Sequence, residues 1–534
     1  MLINIHCAKC LGIQAVPVTV EIDISSGIGI HLVGLADAAV KESLLRTMTA
    51  LQSLGFRIPG KKIVINLAPA DIRKNGSGYD LPIALGIIAA SGQRELPALS
   101  RYLIMGELGL DASVRPIPGA LPIAEFAVSS GLDGCILPES SAREAAELPG
   151  TNVFGAGSLS DALRILEGKE DVSGLKTKAE PFSRTVAGKQ DYMDFADIIG
   201  QEGVKRGAEI AAAGGHNLIM VGPPGSGKTS IAKAMIGIMP PLTLEESIET
   251  SKIYSIAGLG PSTAGLIRER PFRAPHYSAS MAAIIGGGNG DGIMPGEVSL
   301  AQNGILFLDE FAQMPKNIME ALRGPLEDRK VVISRLRSKV EFPASFILTA
   351  ASNPCPCGYY GVKGRCTCTP AQRQNYIGRL SGPIMDRIDI QISLRPVPPQ
   401  RLVRHLKCES SASVSERVTT ARKIQSERFA GEGIHVNAEM TGEQIGKFCS
   451  LDDECGTLME EMSSRLGLSA RAFSRILKLS RTIADIEAAA ALQEEGRHGD
   501  LGQLPPDISL QPIRPCHILE AFSYRFLDKA ENLL

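Results

Sequence analysis

Residues 217–238 read NLIMVGPPGSGKTSIAKAMIGI: an apolar run, a glycine-rich turn and a helical run in unbroken succession. No other segment constrains the fold so tightly, because a short apolar strand must be buried on both faces and the turn must pass the chain straight into a helix. Gly222, Pro223, Pro224, Gly225, Ser226, Gly227, Lys228 and Thr229 fit G-x-x-x-x-G-K-[ST], and Ser230 continues into the helix. The glycines let backbone N–H groups wrap phosphates, and the new helix directs its positive end at them. Lys228 would neutralise the β and γ phosphates of ATP, and the Thr229 hydroxyl would bind Mg2+. A glycine-rich turn with a solvent-facing lysine is the alternative, which the flanking strand and helix disfavour.

Two further apolar runs end in polar residues. ILFLDE, residues 305–310, closes on Asp309 and Glu310. A strand buried on both faces ends in two acids when they sit at the carboxyl edge of a sheet, where α/β ligands bind. Asp309 would hold magnesium and Glu310 would polarise the attacking water as general base. SFILTAASNP then delivers Asn353, whose neutral amide could orient that water, although an Asn-Pro turn would read the same way.

Around this core the chain divides by pattern. Residues 1–165 alternate β-like and helical runs (VPVTVEIDI, AAVKESLLRTMTALQSLG, KKIVINLA, DLPIALGIIAASG), as in a compact α/β domain. Residues 166–190 are polar and lack apolar periodicity, as expected of a linker. Residues 191–395 form the second α/β region, with a mainly parallel sheet covered on both faces, and residues 396–534 read as helical, interrupted by a Gly- and Pro-containing loop. A chain of 534 residues exceeds one hydrophobic core.

Together, GPPGSGKT, RPFRAPHYSAS, PGEVSLAQNGILFLDE, SNPCPCG and LSGPIMDRIDI resemble the magnesium-chelatase-like branch of AAA+ ATPases. VGLADAAVKES, VINLAPADIRKNGSGYDLPIALGI and LSARAFSRILKLSRTIADI point within it to the YifB/ComM family, over nearly the whole chain. The resemblance implies an α/β multidomain protein: an N-terminal Lon-protease-like (ribosomal S5 domain 2-like) domain, an AAA+ P-loop core and a C-terminal helical lid. It also implies a homohexameric ring with nucleotide sites between subunits. Asn353 matches the sensor-1 position, Arg387 the arginine finger (with Arg379 a weaker candidate) and Arg471 sensor 2. Ile198, Ile199 and Gln201 fall where the family approaches adenine. The activity implied is ATP-driven translocation on DNA, as a helicase or branch-migration factor of recombination or natural transformation.

RKVVISRLRSKVEF, residues 329–342, reads as two β runs joined by a basic turn carrying Arg329, Lys330, Arg335, Arg337 and Lys339. The family comparison makes it a presensor-1 hairpin, whose basic side chains could follow a phosphate backbone without reading sequence. A solvated hairpin tip is the alternative. GGGNGDG, residues 286–292, lies in the family's helix-2 insertion as a pore loop or a linker. Net charge is −2, so any DNA surface must be local.

CPCGYYGVKGRCTC holds Cys355, Cys357, Cys366 and Cys368, two C-x-C pairs able to enclose a structural zinc, though tighter than the usual spacing. Reduced thiols packing a loop are the alternative. Cys7 and Cys10 form a lone C-x-x-C, read as structural.

Ser77 in KNGSGYD sits where a Lon-like protease has its nucleophile, but the position comparable to the Lon lysine is Leu121, and no lysine follows Ser77 before Lys169. A serine without a base is unreactive, so the domain is read as a binding or assembly module rather than a protease. The N-terminus lacks a secretory pattern and no run approaches a membrane span, so a cytoplasmic location is expected. Two other classes share the ATPase motifs: a chelatase motor subunit driving magnesium into a porphyrin, and a non-motor regulatory switch, against which Glu310 stands.

Overall fold

Alternating apolar residues in Ile3–Leu11 and Gln14–Ser25 send one side chain of each pair inward, and the two strands close as an antiparallel hairpin with Ile3 opposite Ile22 and Leu11 opposite Gln14. The computed structural model describes residues 2–35, 37–74, 76–169, 171–179, 192–260, 265–288, 292–335, 338–380, 382–397, 400, 408–494, 508 and 511–525. The hairpin is the middle of a seven-stranded mixed sheet, in the order Gly29–Val33, Lys62–Ala68, Gln14–Ser25, Ile3–Leu11, Tyr102–Ile104, Gly134–Pro138, Val153–Ala156. Helix Asp80–Ala90 is almost wholly apolar and buries Ile83, Leu85 and Ile87 in this core. Its one acid, Asp80, is fully buried and answered by Arg46 at 2.9 Å. Of the expected linker, 171–179 returns to this sheet through a bridge between Phe154 and Lys176, and 180–190 lies outside the described residues.

The second sheet is parallel throughout. Its order is Phe272–Arg273, Ile305–Leu308, Ile347–Ser352, Leu218–Val221, Ile390–Ser393. The three central strands are buried along their whole length, as a sheet covered on both faces requires. The strand ending before Asn353 lies between the phosphate-loop strand and the acidic strand. All three therefore open at one carboxyl edge. Helices Ser411–Arg428, Gly442–Phe448, Asp453–Leu466, Ala470–Glu494 and Pro515–Ser523 follow, and their apolar faces join the core on one side of this sheet. Among them Arg428 and Asp485 form a fully buried ion pair at 2.8 and 2.5 Å, shared with Asn437.

The two sheets are joined by specific contacts. Gly119 N–H donates to the Ser255 carbonyl (3.0 Å), Lys252 pairs with Glu125 (2.5 Å) and Arg268 with Glu147 (3.5 Å). Gly12, at φ +60°, turns the N-terminal hairpin directly onto Val340 and Glu341, where a Cβ would lie 2.8 Å from the Glu341 carbonyl oxygen. Only glycine lets the two chains approach so closely. No helix among the described residues is long and apolar enough to cross a membrane.

Candidate nucleotide site

The phosphate loop leaves its strand at Gly222, whose N–H donates to the Ser352 carbonyl at 3.1 Å. This bond carries the parallel ladder one residue past the phosphate-loop strand and sets the loop beside Asn353. Gly225 and Gly227 take φ of +75° and +92°, and a Cβ at either would meet nothing within 4 Å. Backbone conformation thus demands glycine and the space before the loop is open, as a phosphate cradle needs. Helix Lys228–Ile238 starts at once from Gly227.

Lys228 is buried and donates to the Gly222 carbonyl (2.7 Å), the Pro223 carbonyl (3.0 Å) and Asn353 Oδ1 (3.4 Å). Burial holds its pKa below the usual lysine range, opposed by the charge of Asp309. The Thr229 hydroxyl donates to Asp309 Oδ2 at 3.4 Å, so both ligands expected of one magnesium face each other, and both are exposed. Glu310 stands beside them at φ +50°, a left-handed conformation that non-glycine residues adopt at a cost and that clusters at functional sites. Its N–H donates to Asp309 Oδ1 at 2.8 Å. Hydrogen bonds thus join Lys228 to Asn353 and Thr229 to Asp309, and Glu310 is anchored to Asp309.

Gln201 adds a contact that motif reasoning put near adenine. Its side-chain amide donates to the carbonyls of Ser226 (3.2 Å) and Arg395 (2.7 Å), bracing the phosphate loop from behind. Ile198 is buried and Ile199 half-buried in the same segment.

The arginines lie elsewhere. Ile390 pairs with Leu218, the first residue of the phosphate-loop strand, so Arg387 precedes the amino edge of the sheet, opposite the nucleotide loop. It does not project: it is buried, donates to the Pro383 carbonyl at 2.7 Å and pairs closely with Glu327. Arg471, exposed, pairs with the same Glu327 at 3.6 Å. Hydrogen bonding from Arg387 holds the Glu327 carboxyl below its usual range. One turn on, Arg475 pairs with buried Asp389, and His216 Nδ1 lies 3.4 Å from the same carboxylate. Burial alone would raise Asp389, but Arg475 and His216 overcome it and hold the carboxyl far below the usual range. Arg379 is exposed. Nothing in the sequence marks Glu327 as the partner of both arginines, since a surface acid in a helix carries no signal of its own.

The basic segment is an antiparallel hairpin, Lys330–Arg335 with Ser338–Pro343. Its apolar face, Val331, Ile333, Val340 and Phe342, is buried, and Lys330 and Lys339 are exposed. Lys330 pairs across the strands with Glu341 at 3.2 Å, and Arg329 with Glu439 at 3.3 Å. Arg335 ends the first strand, and Arg337 lies outside the described residues. Of the glycine-rich 286–292, Gly286 pairs with Pro295 and Gly287 with Met294, and 289–291 lie outside the described residues.

The four cysteines converge. Cys355 Sγ lies 3.4 Å from Cys357 Sγ and 3.8 Å from Cys366 Sγ, and Cys357 lies 3.7 Å from Cys366. Cys368 Sγ accepts from the Cys357 N–H at 3.4 Å, and all four sulfurs fall within 4.8 Å of one another. Cys7 is buried and Cys10 half-buried, both as free thiols, and Cys10 reaches the Gly119 carbonyl. Ser77 donates to the Glu107 carboxylate, Leu121 is fully buried, and Lys74, buried, gives its ammonium to the Pro69 carbonyl.

A phosphate cradle facing an acidic strand end and a buried-strand asparagine defines a P-loop ATPase of the AAA+ kind. Sequence profiles agree: that described as magnesium chelatase, subunit ChlI, matches residues 194–402, that of subunit ChlI of Mg-chelatase matches 20–141, and that of the ChlI C-terminal region matches 408–496. The chain is 40% identical over 98% of its length, and 97% of the relative's, to the uncharacterized protein YifB of Salmonella typhimurium, with the same figures for YifB of Escherichia coli. It is 41% identical to the competence protein ComM of Haemophilus influenzae over 99% of both chains. It belongs to the YifB/ComM family of magnesium-chelatase-like AAA+ ATPases.

Proposed function

We propose that this chain is the subunit of an ATP-hydrolysing ring motor that moves on DNA, as a helicase or branch-migration translocase. The observation that carries the reading is the basic hairpin inserted between the acidic strand and the asparagine strand, with Lys330 and Lys339 exposed. Motion of the nucleotide site would reach that hairpin through the two strands that flank it in sequence. Full-length similarity to a competence protein supports the same substrate. The chain then divides into a Lon-like domain at 1–165, a linker at 166–190, an AAA+ core at 191–395 and a helical lid at 396–534.

In this reading Lys228 binds the terminal phosphates and the loop amides fix them in line. Thr229 and Asp309 hold magnesium, which would neutralise the charge of the triphosphate. Glu310 takes the proton of the attacking water and Asn353 orients it. Because Arg387 and Arg471 belong to the edge opposite the chain's own nucleotide loop, they would serve a neighbour's nucleotide, which makes a closed ring, of six by family resemblance, the working unit. The four cysteines would hold a structural zinc.

ATPase rate, measured with and without a four-way junction or single-stranded DNA, tests the motor reading. We expect stimulation, lost on Lys330→Glu with Lys339→Glu, and binding that weakens steeply with salt. Unchanged turnover with no DNA retained at low salt would overturn it. The profile matches to a chelatase subunit favour a second reading, a motor for metal insertion into a porphyrin. Turnover stimulated by a chelatase partner and indifferent to DNA would select that one.

A further inference from the structure

The loop Cys355–Cys368 is poor in apolar side chains: Pro356, Gly361, Lys363, Gly364, Arg365 and Thr367 are all exposed. It has no hydrophobic core of its own, and such a segment is held by a cross-link or not at all. Four thiolates around zinc at about 2.3 Å stand about 3.8 Å apart along each edge of the tetrahedron. Sulfur separations of 3.4, 3.7 and 3.8 Å fit that edge. Among the described residues a second group with metal-binding side chains, Glu487, Cys516 and His517, fits less well: His517 Nδ1 accepts from the Arg514 N–H, which leaves Nε2 carrying a proton toward Glu487.

Position gives the loop a task. It begins two residues after Asn353, with Cys355 fully buried. Gly358, at φ +83°, lies against the nucleotide loop, where a Cβ would stand 3.0 Å from both Cγ and Cδ of Pro224. At its far end Cys368 runs directly into helix Pro370–Ile377, capped by Thr369 and Gln372. That helix stacks Arg373 on Tyr360 of the loop at 4.3 Å. It also buries Tyr376, whose phenol is raised in pKa by burial and feels the charge of Glu310. The loop thus bears on Pro224 of the nucleotide loop.

We propose that zinc held by Cys355, Cys357, Cys366 and Cys368 acts as a positioning clamp for the nucleotide site, registering Pro224 and the phosphate loop against Asn353 through Gly358. The clamp rests on the zinc reading above, and its test separates the two. Zinc content is measured on full-length protein purified without chelator, for wild type, for Cys357→Ser with Cys366→Ser, and for Gly358→Ala. Affinity for a fluorescent ATP analogue and circular dichroism are read on the same samples. Wild type should carry one zinc per chain. The double variant should lose it and bind the analogue about ten- to a hundredfold more weakly, the scale of a small misplacement in a bound site. Gly358→Ala should keep its zinc, because all four thiols remain, and still lose affinity, because the added methyl pushes on Pro224. Zinc-free wild type in which Cys355, Cys357, Cys366 and Cys368 all react as free thiols overturns the metal site. Full zinc in wild type and Gly358→Ala with equal affinity for the analogue overturns the clamp, and stands as a test even where the double variant does not fold.

Discussion

Glu144 lies at the contact between the N-terminal unit and helix Leu244–Ala257, close to Cys10 and Ser255. Burial pushes its carboxyl from 4.5 up to about 7, against the opposing effect of Ser255. An unfolded chain keeps the ordinary value, so from pH 4.5 upward the unfolded state gives up its proton first and is favoured. The native state therefore loses stability between pH 4.5 and 7, and the cost is constant above 7. At about 1.36 kcal/mol per pH unit the ceiling is about 3.4 kcal/mol, and partial exposure of the side chain reduces the expectation to about 1–2 kcal/mol. Glu144→Gln removes the charge and keeps the size and shape of the side chain. Urea unfolding of wild type and variant should show the variant more stable by that amount at pH 8, with the advantage shrinking to within about 0.5 kcal/mol at pH 4.5. An effect of equal size at both pH values, or a variant less stable at pH 8, would refute the assignment of a buried, uncompensated carboxylate to this contact.

Glu310→Gln should leave nucleotide affinity unchanged while lowering ATP turnover about 10²- to 10⁴-fold, the contribution of a positioned general base. Steady-state ATPase and equilibrium binding check it, and a loss under tenfold would remove Glu310 from that role. Asp485→Ala leaves Arg428 buried without its carboxylate and should cost about 3–5 kcal/mol, visible as earlier unfolding of the C-terminal helices by circular dichroism. A loss below about 1 kcal/mol would mean that water reaches the pair.

The nucleotide loop, the acidic strand end and Asn353 were legible because each is announced locally, by an apolar run broken at a residue no buried strand would carry. Helix Asp80–Ala90 and strand Lys62–Ala68 were legible for the same reason, through periodicity. Strand order was not, since placing the asparagine strand between the other two depends on packing far apart in sequence. Nor was the abutment of Gly12 on Glu341, made by residues more than three hundred apart. The motif marks Arg387 along the chain but says nothing of where its side chain points, which Pro383 and Glu327 decide.

In the proposed mechanism the parallel sheet separates the two halves of the chemistry. Its carboxyl edge carries the cradle, Asp309, Glu310 and Asn353, and its amino edge carries Arg387, with Arg471 on the same Glu327. A strand of four residues puts about 13 Å between those edges, beyond the reach of one arginine to its own γ-phosphate. In the proposed ring, then, both guanidiniums must leave Glu327 to meet the nucleotide next door. Glu327 is 46% exposed, and a pair with so wet a carboxylate is worth at most about 1 kcal/mol for Arg471. A bidentate contact to phosphate is stronger than that. Arg471 can therefore exchange readily, whereas Arg387, buried and also held by the Pro383 carbonyl, has to be drawn out of the protein, which makes its release the larger barrier of the two.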